Sequence, residues 1–192
     1  MFWVLVPAAY LLGTFPSAIV VARNKGVDIT AVGSGNPGAS NIARILGTRW
    51  GVVVFVLDGL KGVIPAATGV AAGSRPATYA LVAAAVLGHM YPAMRRFQGG
   101  KGVATMAGAM AVLHPVVFAA LAVVWFAVRS ITEKASLGSI AIAIGLPVGV
   151  GLSGRSGWEV VASVALAGLV LLRHSDNIRR LRDGDEPSAL RP

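Results

Sequence analysis

The length of its apolar segments constrains this chain more than any other feature of the sequence. Crossing a bilayer takes about 20 residues of helix, and apolar segments near that length lie at about residues 2–22, 50–72, 76–92, 137–153 and 157–173. Hydrophobic residues make up 55% of the chain, charged residues make up 13%, and the mean hydropathy is +0.72. These values are typical of an integral membrane protein. We therefore expect an all-α membrane protein with one polytopic domain over residues 1–182.

The two ends of the chain are interpreted from their composition. The amino-terminal segment has no basic region before its apolar residues, so we interpret it as a retained span and not as a cleaved signal. Residues 183–192 form a short polar tail that we expect to be frayed and cytoplasmic. The chain has no cysteine, which excludes disulfides, thiolate chemistry and cysteine-ligated metals.

The apolar segment from Gly102 to Arg129 can be interpreted in two ways. As one helix it separates two polar stretches, residues 95–101 and 129–139. As two short helices of about 12 to 14 residues, broken at His114–Pro115, it returns both stretches to one side. Proline removes a helical hydrogen bond and disfavours helix at the preceding residue, so we predict the break. The chain then has seven transmembrane helical segments, two of them short.

The distribution of basic residues predicts the orientation in the membrane. With the broken segment, fourteen of the seventeen Lys and Arg residues lie on one side, Arg75 and Arg155 lie opposite, and Lys61 lies within a span. The positive-inside rule makes the basic side cytoplasmic, with the amino terminus outside and the carboxyl terminus inside. The net charge of +9 follows from this topology, because the basic residues are scattered and form no stripe for nucleic acid.

A first glycine-rich cluster, VGSGNPGASNIAR at residues 32–44, lies on the basic side. Its small residues let backbone N–H groups converge on a phosphate. Asn36, Asn41 and Arg44 can add side-chain donors, and Asn41 and Arg44 share a face if a helix begins after the glycines. The alternative is a flexible cytoplasmic loop, since the same residues favour turns.

A second cluster, GGKGVAT at residues 99–105, places a glycine on each side of Lys101. Backbone and ammonium groups can therefore approach one oxyanion together. The cluster is not a nucleotide-binding P-loop, because Arg95 stands at the position of its first glycine and Gly102 follows the lysine in place of Ser or Thr. A lipid head-group anchor formed with Arg95 and Arg96 is the alternative.

Within the spans, one charge pair and two glycine spacings stand out. Asp58 and Lys61 lie three residues apart on one helical face, where a pair of charges serves either a functional site or a structural lock. The GxxxG spacings at residues 69–73 and 145–149 predict close helix packing.

Four further polar residues lie at predicted helix ends. Ser136 and Ser139 lie at the cytoplasmic start of a helix, and N-capping accounts for one of them. His174 and Asn177 follow the last span and share a face if the helix continues. Beside a run of arginines they form a candidate anion-binding site.

Several familiar catalytic motifs are absent from the sequence. There is no His-x4-Asp motif of the common glycerolipid acyltransferases, no Gly-x-Ser-x-Gly nucleophile elbow and no His-Glu-x-x-His zinc site. Covalent serine catalysis and zinc hydrolysis therefore have no support, and we predict no metal site. Two basic glycine-rich clusters in a membrane protein indicate an enzyme or a carrier for a phosphorylated substrate.

Five motifs, taken in order, resemble the PlsY family of bacterial membrane acyltransferases. They are GSGNPGASNIAR, LDGLKG, GHMYPAMRRFQGGKGVAT, SLGSI and RHSDNIRRL, and the resemblance extends from the first span to Glu186. It implies transfer of an acyl group from acyl phosphate to the 1-hydroxyl of glycerol 3-phosphate, which gives lysophosphatidic acid and phosphate in phospholipid biosynthesis. It also implies seven helices in the bacterial plasma (inner) membrane and an active site open to the cytoplasm. We expect a monomer without a cofactor.

The reaction that the resemblance implies divides the polar residues into two sets. One set binds the phosphate groups and consists of Lys101 with Ser34, Gly35, Asn36, Gly38, Ser40, Asn41, Arg44, Gly99 and Gly100. The other binds the glycerol phosphate and its hydroxyl and consists of Ser136, Ser139, His174 and Asn177. Of all these, Lys101, Ser139, His174 and Asn177 are expected to be catalytic. Either His174 or a substrate phosphate oxygen accepts the proton, and the resemblance favours the phosphate.

The main alternative function is a membrane transporter for an organic phosphate. A transporter site is expected near the middle of the membrane, between repeated halves of the chain. Here the polar clusters lie on one side and the sequence shows no internal repeat. Both observations favour the enzyme.

Overall fold

A computed structural model describes residues 2–189, and all regular structure in this range is helical. The predicted all-α class is therefore confirmed. The helices fall into two compact units, one ending at Leu113 and the other beginning at His114. The first unit contains Leu5–Gly13 (α1), Ser17–Arg23 (α2), Ala39–Leu46 (α3), Thr48–Ala71 (α4), Arg75–Met90 (α5) and Val103–Leu113 (α6). The second contains Pro115–Thr132 (α7), Ala135–Leu152 (α8), Gly157–Leu172 (α9) and Ser175–Asp183 (α10).

Five helical segments in the described range are long and apolar enough to cross a membrane, or six if α9 and α10 form one bent span. The first of the five, Leu5–Arg23, combines α1 and α2. Helix α6 is apolar but has only 11 residues. The membrane-spanning lengths predicted from the sequence are thus confirmed for most segments.

The break at His114–Pro115 lies where the sequence predicts it. Pro115 occupies the first position of α7, where its missing N–H removes no helical hydrogen bond. The prediction that both halves of this segment are short is wrong for α7, which has 18 residues, as many as α8. Helix α7 continues past Arg129 to Thr132 and ends where Glu133 adopts a left-handed φ of 57°.

Proline also divides the first span. Pro16 has no N–H to donate, and a short break at residues 14–16 separates α1 from α2. The Phe15 carbonyl at this break accepts hydrogen bonds from Ser17 N at 3.0 Å and from Lys61 Nζ at 2.5 Å. In a bilayer a carbonyl released from a helix needs such protein partners, because no water is present to bond it.

Close helix crossings hold the first unit together. A Cβ added at Gly62 of α4 would overlap the Thr105 carbonyl oxygen of α6, and one added at Gly108 of α6 would overlap the Gly59 carbonyl oxygen. Helices α1 and α5 approach in the same way at Gly88. Glycines permit this backbone approach, which supplies the van der Waals contact that associates helices in lipid.

The first glycine-rich cluster is attached to this unit through buried apolar residues. Ile42 of α3 packs in one core with Ile29 of the preceding loop, Ala22 of α2 and Val54 of α4. The loop between Ile29 and Ile42 is therefore fixed at both ends.

The two GxxxG spacings have different outcomes. In α8, Cβ atoms added at Gly145 and Gly149 would lie 2.8 and 2.6 Å from side chains of α7, so the predicted close packing is confirmed. In α4 it is confirmed only for Gly69, whose added Cβ would lie 2.5 Å from atoms of α5. Gly73 lies beyond the end of α4 with a φ of +69° and open space beside it. It forms the turn that ends the helix and does not pack.

The crossing of α4 and α6 predicts a difference between two glycines in the middle of helices. Gly108→Ala should lower the thermal midpoint, because the added methyl meets backbone and such overpacking costs about 1–3 kcal/mol. Gly168→Ala in α9 is the control, since nothing lies within 4 Å of its added Cβ. Its midpoint should be unchanged or slightly higher. Equal midpoints for the two variants in detergent would contradict the close crossing.

Candidate active site

The first glycine-rich cluster forms a compact loop before α3. Gly33 and Gly35 have φ values of +61° and +68°, which side chains disfavour. Gly38, directly before α3, donates its N–H to the Asn36 carbonyl at 2.9 Å. Residues 34–39 are half-buried, so the loop has a defined shape and stays accessible to a ligand.

Asn41 holds the shape of this loop. Its buried side chain accepts a hydrogen bond from Ser34 N at 3.0 Å and donates to the carbonyls of Val32 at 3.0 Å and Ile29 at 3.2 Å. Arg44 Nη1 donates to the same Asn41 oxygen at 3.3 Å, which confirms that the two side chains share a helical face. Because its amide N–H groups bond the loop, Asn41 shapes the site, and its direct contact with substrate stays a prediction.

The second glycine-rich cluster is docked on the end of α5. The N–H groups of Gly99 and Gly100 donate to the last two carbonyls of that helix, each at 3.1 Å. Gly102, with a φ of +78°, then turns the chain into α6. Lys101 lies between these fixed points and is partly exposed.

A cavity in the first unit is lined by residues of both clusters. Pro37 lines it from the first cluster and Gly100 from the second, together with Lys61 and Arg95 and with residues at the break between α1 and α2. The structure therefore brings the two glycine-rich clusters to one place. Asp58 also lines the cavity and pairs with Lys61, so Arg95 gives the lining its net positive charge, which favours an anionic ligand.

A buried polar group lies beside this cavity. Lys61 Nζ is 2.6 Å from Asp58 Oδ1 and 3.4 Å from His89 Nδ1. Lys61, Asp58 and His89 are 3%, 2% and 9% exposed. Lys61 also bonds the Phe15 carbonyl, so the charge pair links α4 and α5 to the break in the first span. These contacts support the structural lock, one of the two interpretations that the sequence leaves open.

In the second unit, the N-capping prediction for Ser136 or Ser139 is wrong. Lys134 is the N-cap of α8, and no side chain bonds there. The helix begins at Ala135, so both serines lie inside it and are buried. Ser139 Oγ donates to the Ala135 carbonyl at 3.0 Å and accepts from Trp125 Nε1 at 3.3 Å.

The helix does not continue through His174 and Asn177, the condition under which the sequence places them on one face. Helix α9 ends before His174, α10 begins after it, and their axes differ by 56°. Asp176 in the first turn of α10 favours a new helix amino terminus. His174 Nδ1 is 2.7 Å from the Val170 carbonyl oxygen. A carbonyl only accepts, so neutral His174 carries its proton on Nδ1, and Nε2 is the acceptor nitrogen.

Sequence reasoning missed Glu186. Its two carboxylate oxygens accept from Asn177 Nδ2 at 2.6 Å and from Arg180 Nε at 2.9 Å, and its backbone carbonyl accepts from Lys134 Nζ. Gly184 has a φ of 85° and turns the chain back after α10, so Glu186 reaches the helix it follows. The available signal was an acidic residue placed just after a glycine and an arginine run.

The environment of Glu186 favours its charged form. Burial raises the pKa of the carboxyl, but the Ser136 hydroxyl, the hydrogen bonds from Asn177 and Arg180 and the Arg180 charge outweigh burial, so the pKa lies below its ordinary value of 4.5. The Ser136 hydroxyl lowers the pKa of Glu186 as a nearby polar group, since its oxygen makes no hydrogen bond of ordinary geometry among the described residues. Glu186 thus joins Ser136 and Asn177, two predicted site residues, in one cluster.

The expectation of a frayed tail is wrong over its described residues. Ala189 N donates to the Glu133 carbonyl at 2.7 Å, and Arg129 Nη2 donates to the Ala189 carbonyl at 3.2 Å. Ser188 Oγ lies 3.2 Å from a Glu133 carboxylate oxygen, to which it donates. The tail is therefore bonded to the end of α7. Residues 190–192 of the predicted tail lie outside the described residues.

The predicted site residues divide between the two units. The phosphate-binding set lies in the first unit: Ser34, Gly35, Asn36, Gly38, Ser40, Asn41, Arg44, Gly99, Gly100 and Lys101. Ser136, Ser139, His174 and Asn177 lie in the second. Among residues 2–189, no group of three or more His, Asp or Glu side chains is placed to hold a metal ion.

Known proteins match this chain over nearly its whole length. The family model described as glycerol-3-phosphate acyltransferase matches residues 3–184. The glycerol-3-phosphate acyltransferase of Geotalea daltonii is 42% identical over 95% of each chain. That of Bacillus cytotoxicus is 42% identical over 97% of this chain and 94% of the relative.

Solved structures agree with the family match. The glycerol 3-phosphate form of PlsY (YgiH), an integral membrane glycerol 3-phosphate acyltransferase, has a TM-score of 0.94 at 39% identity. Its lysophosphatidic acid form has a TM-score of 0.91 at 38% identity. In both cases the match covers 97% of this chain and 94% of the other.

Fold, glycine-rich loops and relatives together define a multi-pass membrane acyltransferase. More particularly, the chain belongs to the glycerol-3-phosphate acyltransferase family, and the two solved structures that it resembles carry the name PlsY.

The Glu186 cluster predicts a pH-dependent contribution to stability. Glu186→Gln should lower the thermal midpoint at pH 7, because the carboxylate bonds Asn177 and Arg180. A lowered pKa means that this contribution is present above the ordinary value near 4.5 and is lost as the pH falls through the folded-state pKa. The difference in midpoint between wild type and variant should therefore shrink at pH 4.

The matched control is Asp183→Asn, which removes an exposed pair with Arg182. Exposed pairs contribute little, so its midpoint should stay near that of the wild type at both pH values. A difference for Glu186→Gln that is the same at pH 7 and pH 4 would contradict the role of the charged carboxylate.

Proposed function

We propose that this acyltransferase takes its acyl group from acyl phosphate, transfers it to the 1-hydroxyl of glycerol 3-phosphate and releases lysophosphatidic acid and phosphate. The glycerol 3-phosphate and lysophosphatidic acid forms of the solved relatives support the acceptor and the product. The observation that supports the donor is that Pro37 of the first cluster and Gly100 of the second line one cavity together with Arg95. Two loops suit two phosphate groups held close together.

The chemistry needs little beyond positioning and charge stabilisation. The hydroxyl oxygen of glycerol 3-phosphate attacks the acyl carbonyl carbon, and the bond from that carbon to the phosphate oxygen breaks. Phosphate is already a good leaving group, so no nucleophilic side chain and no cofactor is required. The Asn36 N–H, the Ser34 and Ser40 hydroxyls and the Lys101 ammonium stabilise the charge that develops on the departing phosphate.

The attacking hydroxyl must also lose its proton. We assign the proton to an oxygen of a substrate phosphate and assign His174, Ser139 and Asn177 to binding the glycerol 3-phosphate. The bond from His174 Nδ1 to the Val170 carbonyl holds the ring in one orientation, as a binding residue requires. Ser136 belongs to the Glu186 cluster of the same unit. In the first unit, Asn41 holds Arg44 on the shared face of its helix.

We further propose that the chain crosses the bacterial plasma membrane as seven helical segments and functions as a monomer. The short helix α6 and the break at His114 support a segment that returns to the side it left. The distribution of fourteen of seventeen basic residues supports a cytoplasmic active site, an outer amino terminus and an inner carboxyl terminus.

Acyl phosphate should be the donor in a purified system. Protein in detergent with glycerol 3-phosphate should form lysophosphatidic acid from a long-chain acyl phosphate and not from acyl-coenzyme A or acyl-acyl carrier protein. Equal rates from acyl-coenzyme A would contradict the donor. Absence of product from every donor, in a folded sample, would favour an organic phosphate transporter.

Lys101→Met should reduce kcat/KM by about 100-fold or more, the usual effect of removing one group that stabilises transition-state charge. Arg96→Met is the matched control, because Arg96 is an exposed cation five residues earlier in the same connection. It should retain most activity. If both variants lose activity equally, or neither does, Lys101 belongs with the lipid head-group anchors. Thermal midpoints of both variants show whether the fold is kept.

Single cysteines test the topology in a chain that has none of its own. Gln98→Cys, Ser130→Cys and Ser175→Cys replace exposed residues on the proposed cytoplasmic side, and Ser153→Cys replaces one on the other side. A membrane-impermeant thiol reagent outside intact cells should label only position 153. Labelling at position 130 would contradict the return of α6 and α7 to the cytoplasmic side.

A further inference from the structure

We propose that Asp58 and Lys61 are positioning residues for catalysis, because through His89 they fix the Gly99–Gly100 backbone and thereby the place of Lys101. All of these residues belong to the first unit. The inference rests on the proposed contact of Lys101 with a substrate phosphate. It gives the buried charge pair a role in the reaction in addition to its structural contacts.

His89 is the link between the pair and the loop. Its carbonyl accepts the Gly100 N–H at 3.1 Å. A Cβ added at Gly100 would overlap Nε2 of the His89 ring, with Cε1 and Cδ2 at 3.0 and 3.2 Å, so the outer edge of the imidazole lies directly against the loop. A Cβ at Gly99 would overlap the His89 carbonyl oxygen. The orientation of this ring therefore sets how closely the loop approaches α5.

The charge pair faces the opposite edge of the same ring. His89 Nδ1 lies 3.4 Å from Lys61 Nζ and 3.7 Å from Asp58 Oδ1. Lys61 and Asp58 are 2.6 Å apart and almost fully buried, so solvent ions screen them little. Imidazole held between a fixed charge pair and the loop has little freedom to turn.

The chain after Lys101 depends on the same turn of α4. Helix α6 begins at Val103, two residues after Lys101. Gly62, the neighbour of Lys61, lies against the Thr105 carbonyl so closely that an added Cβ would overlap it. One turn of α4 thus supports both sides of Lys101, through the His89 ring on one side and through α6 on the other.

A purely structural pair and a positioning pair predict different measurements. A structural pair changes stability, and a protein that still folds without it turns over normally. A positioning pair changes the loop, and misplacement of a catalytic group by about 1 Å can reduce the rate by about 100-fold.

The test uses the full-length double variant Asp58→Asn/Lys61→Met. Removing both charges leaves neither one unpaired in the buried site, which is the change that buried pairs tolerate best. We expect kcat to fall between about 10-fold and 100-fold. In ligand-free protein, amide hydrogen exchange over residues 97–102 should become faster, while exchange within α8 stays as in the wild type.

The control is Glu159→Gln, which alters a different buried pair, with Glu159 Oε2 3.8 Å from His114 Nε2 in the second unit. It should leave kcat and exchange over residues 97–102 unchanged. A folded double variant with wild-type kcat, or with wild-type exchange at the loop, overturns the proposal.

If the double variant does not fold, the His89→Asn variant is measured in its place. Asparagine keeps a polar atom toward Lys61 but lacks the outer ring atoms that lie against Gly100. The expected result is again a lower kcat with faster exchange at residues 97–102, and wild-type values of either overturn the proposal. Because exchange is measured without substrate, it reports on the loop even if Lys101→Met shows that Lys101 does not bind phosphate.

Discussion

The bilayer leaves a backbone no water to bond with, and the rest of this structure follows from that constraint. Where proline breaks the first span, the released Phe15 carbonyl is bonded by Ser17 and by the Lys61 ammonium. Lys61 is in turn neutralised by Asp58. A charge inside the membrane is thus part of how a broken helix is satisfied, and the break gives the cavity beside the glycine-rich loops part of its lining.

Most spans and the break at His114–Pro115 could be predicted because apolar length and proline position act locally, but the break at residues 14–16 of the first span was not predicted. The helical class, the break at His114–Pro115 and the shared face of Asn41 and Arg44 all follow from such rules. Helix starts and ends were less predictable. The N-cap of α8 depends on the backbone of Lys134 and not on a serine, and α9 ends before His174 although the polar pattern is compatible with a longer helix.

Contacts between residues distant in sequence could not be predicted from local patterns. Glu186 lies in a polar tail, and only the turn at Gly184 shows that it meets Asn177 and Arg180. The link from Lys61 through His89 to Gly100 joins three separate segments. Sequence identified both ends of that link as polar or glycine-rich, but the ring between them is visible only in three dimensions.

The proposed mechanism depends on the two glycine-rich loops of the first unit holding phosphate. A crystal structure with a non-hydrolysable acyl phosphonate tests this most directly. We predict that its phosphonate group lies within hydrogen-bond distance of the Asn36 N–H or of the Ser34 or Ser40 hydroxyl, and of Lys101 Nζ. A phosphonate bound with neither the loop nor Lys101 in contact would contradict this mechanism.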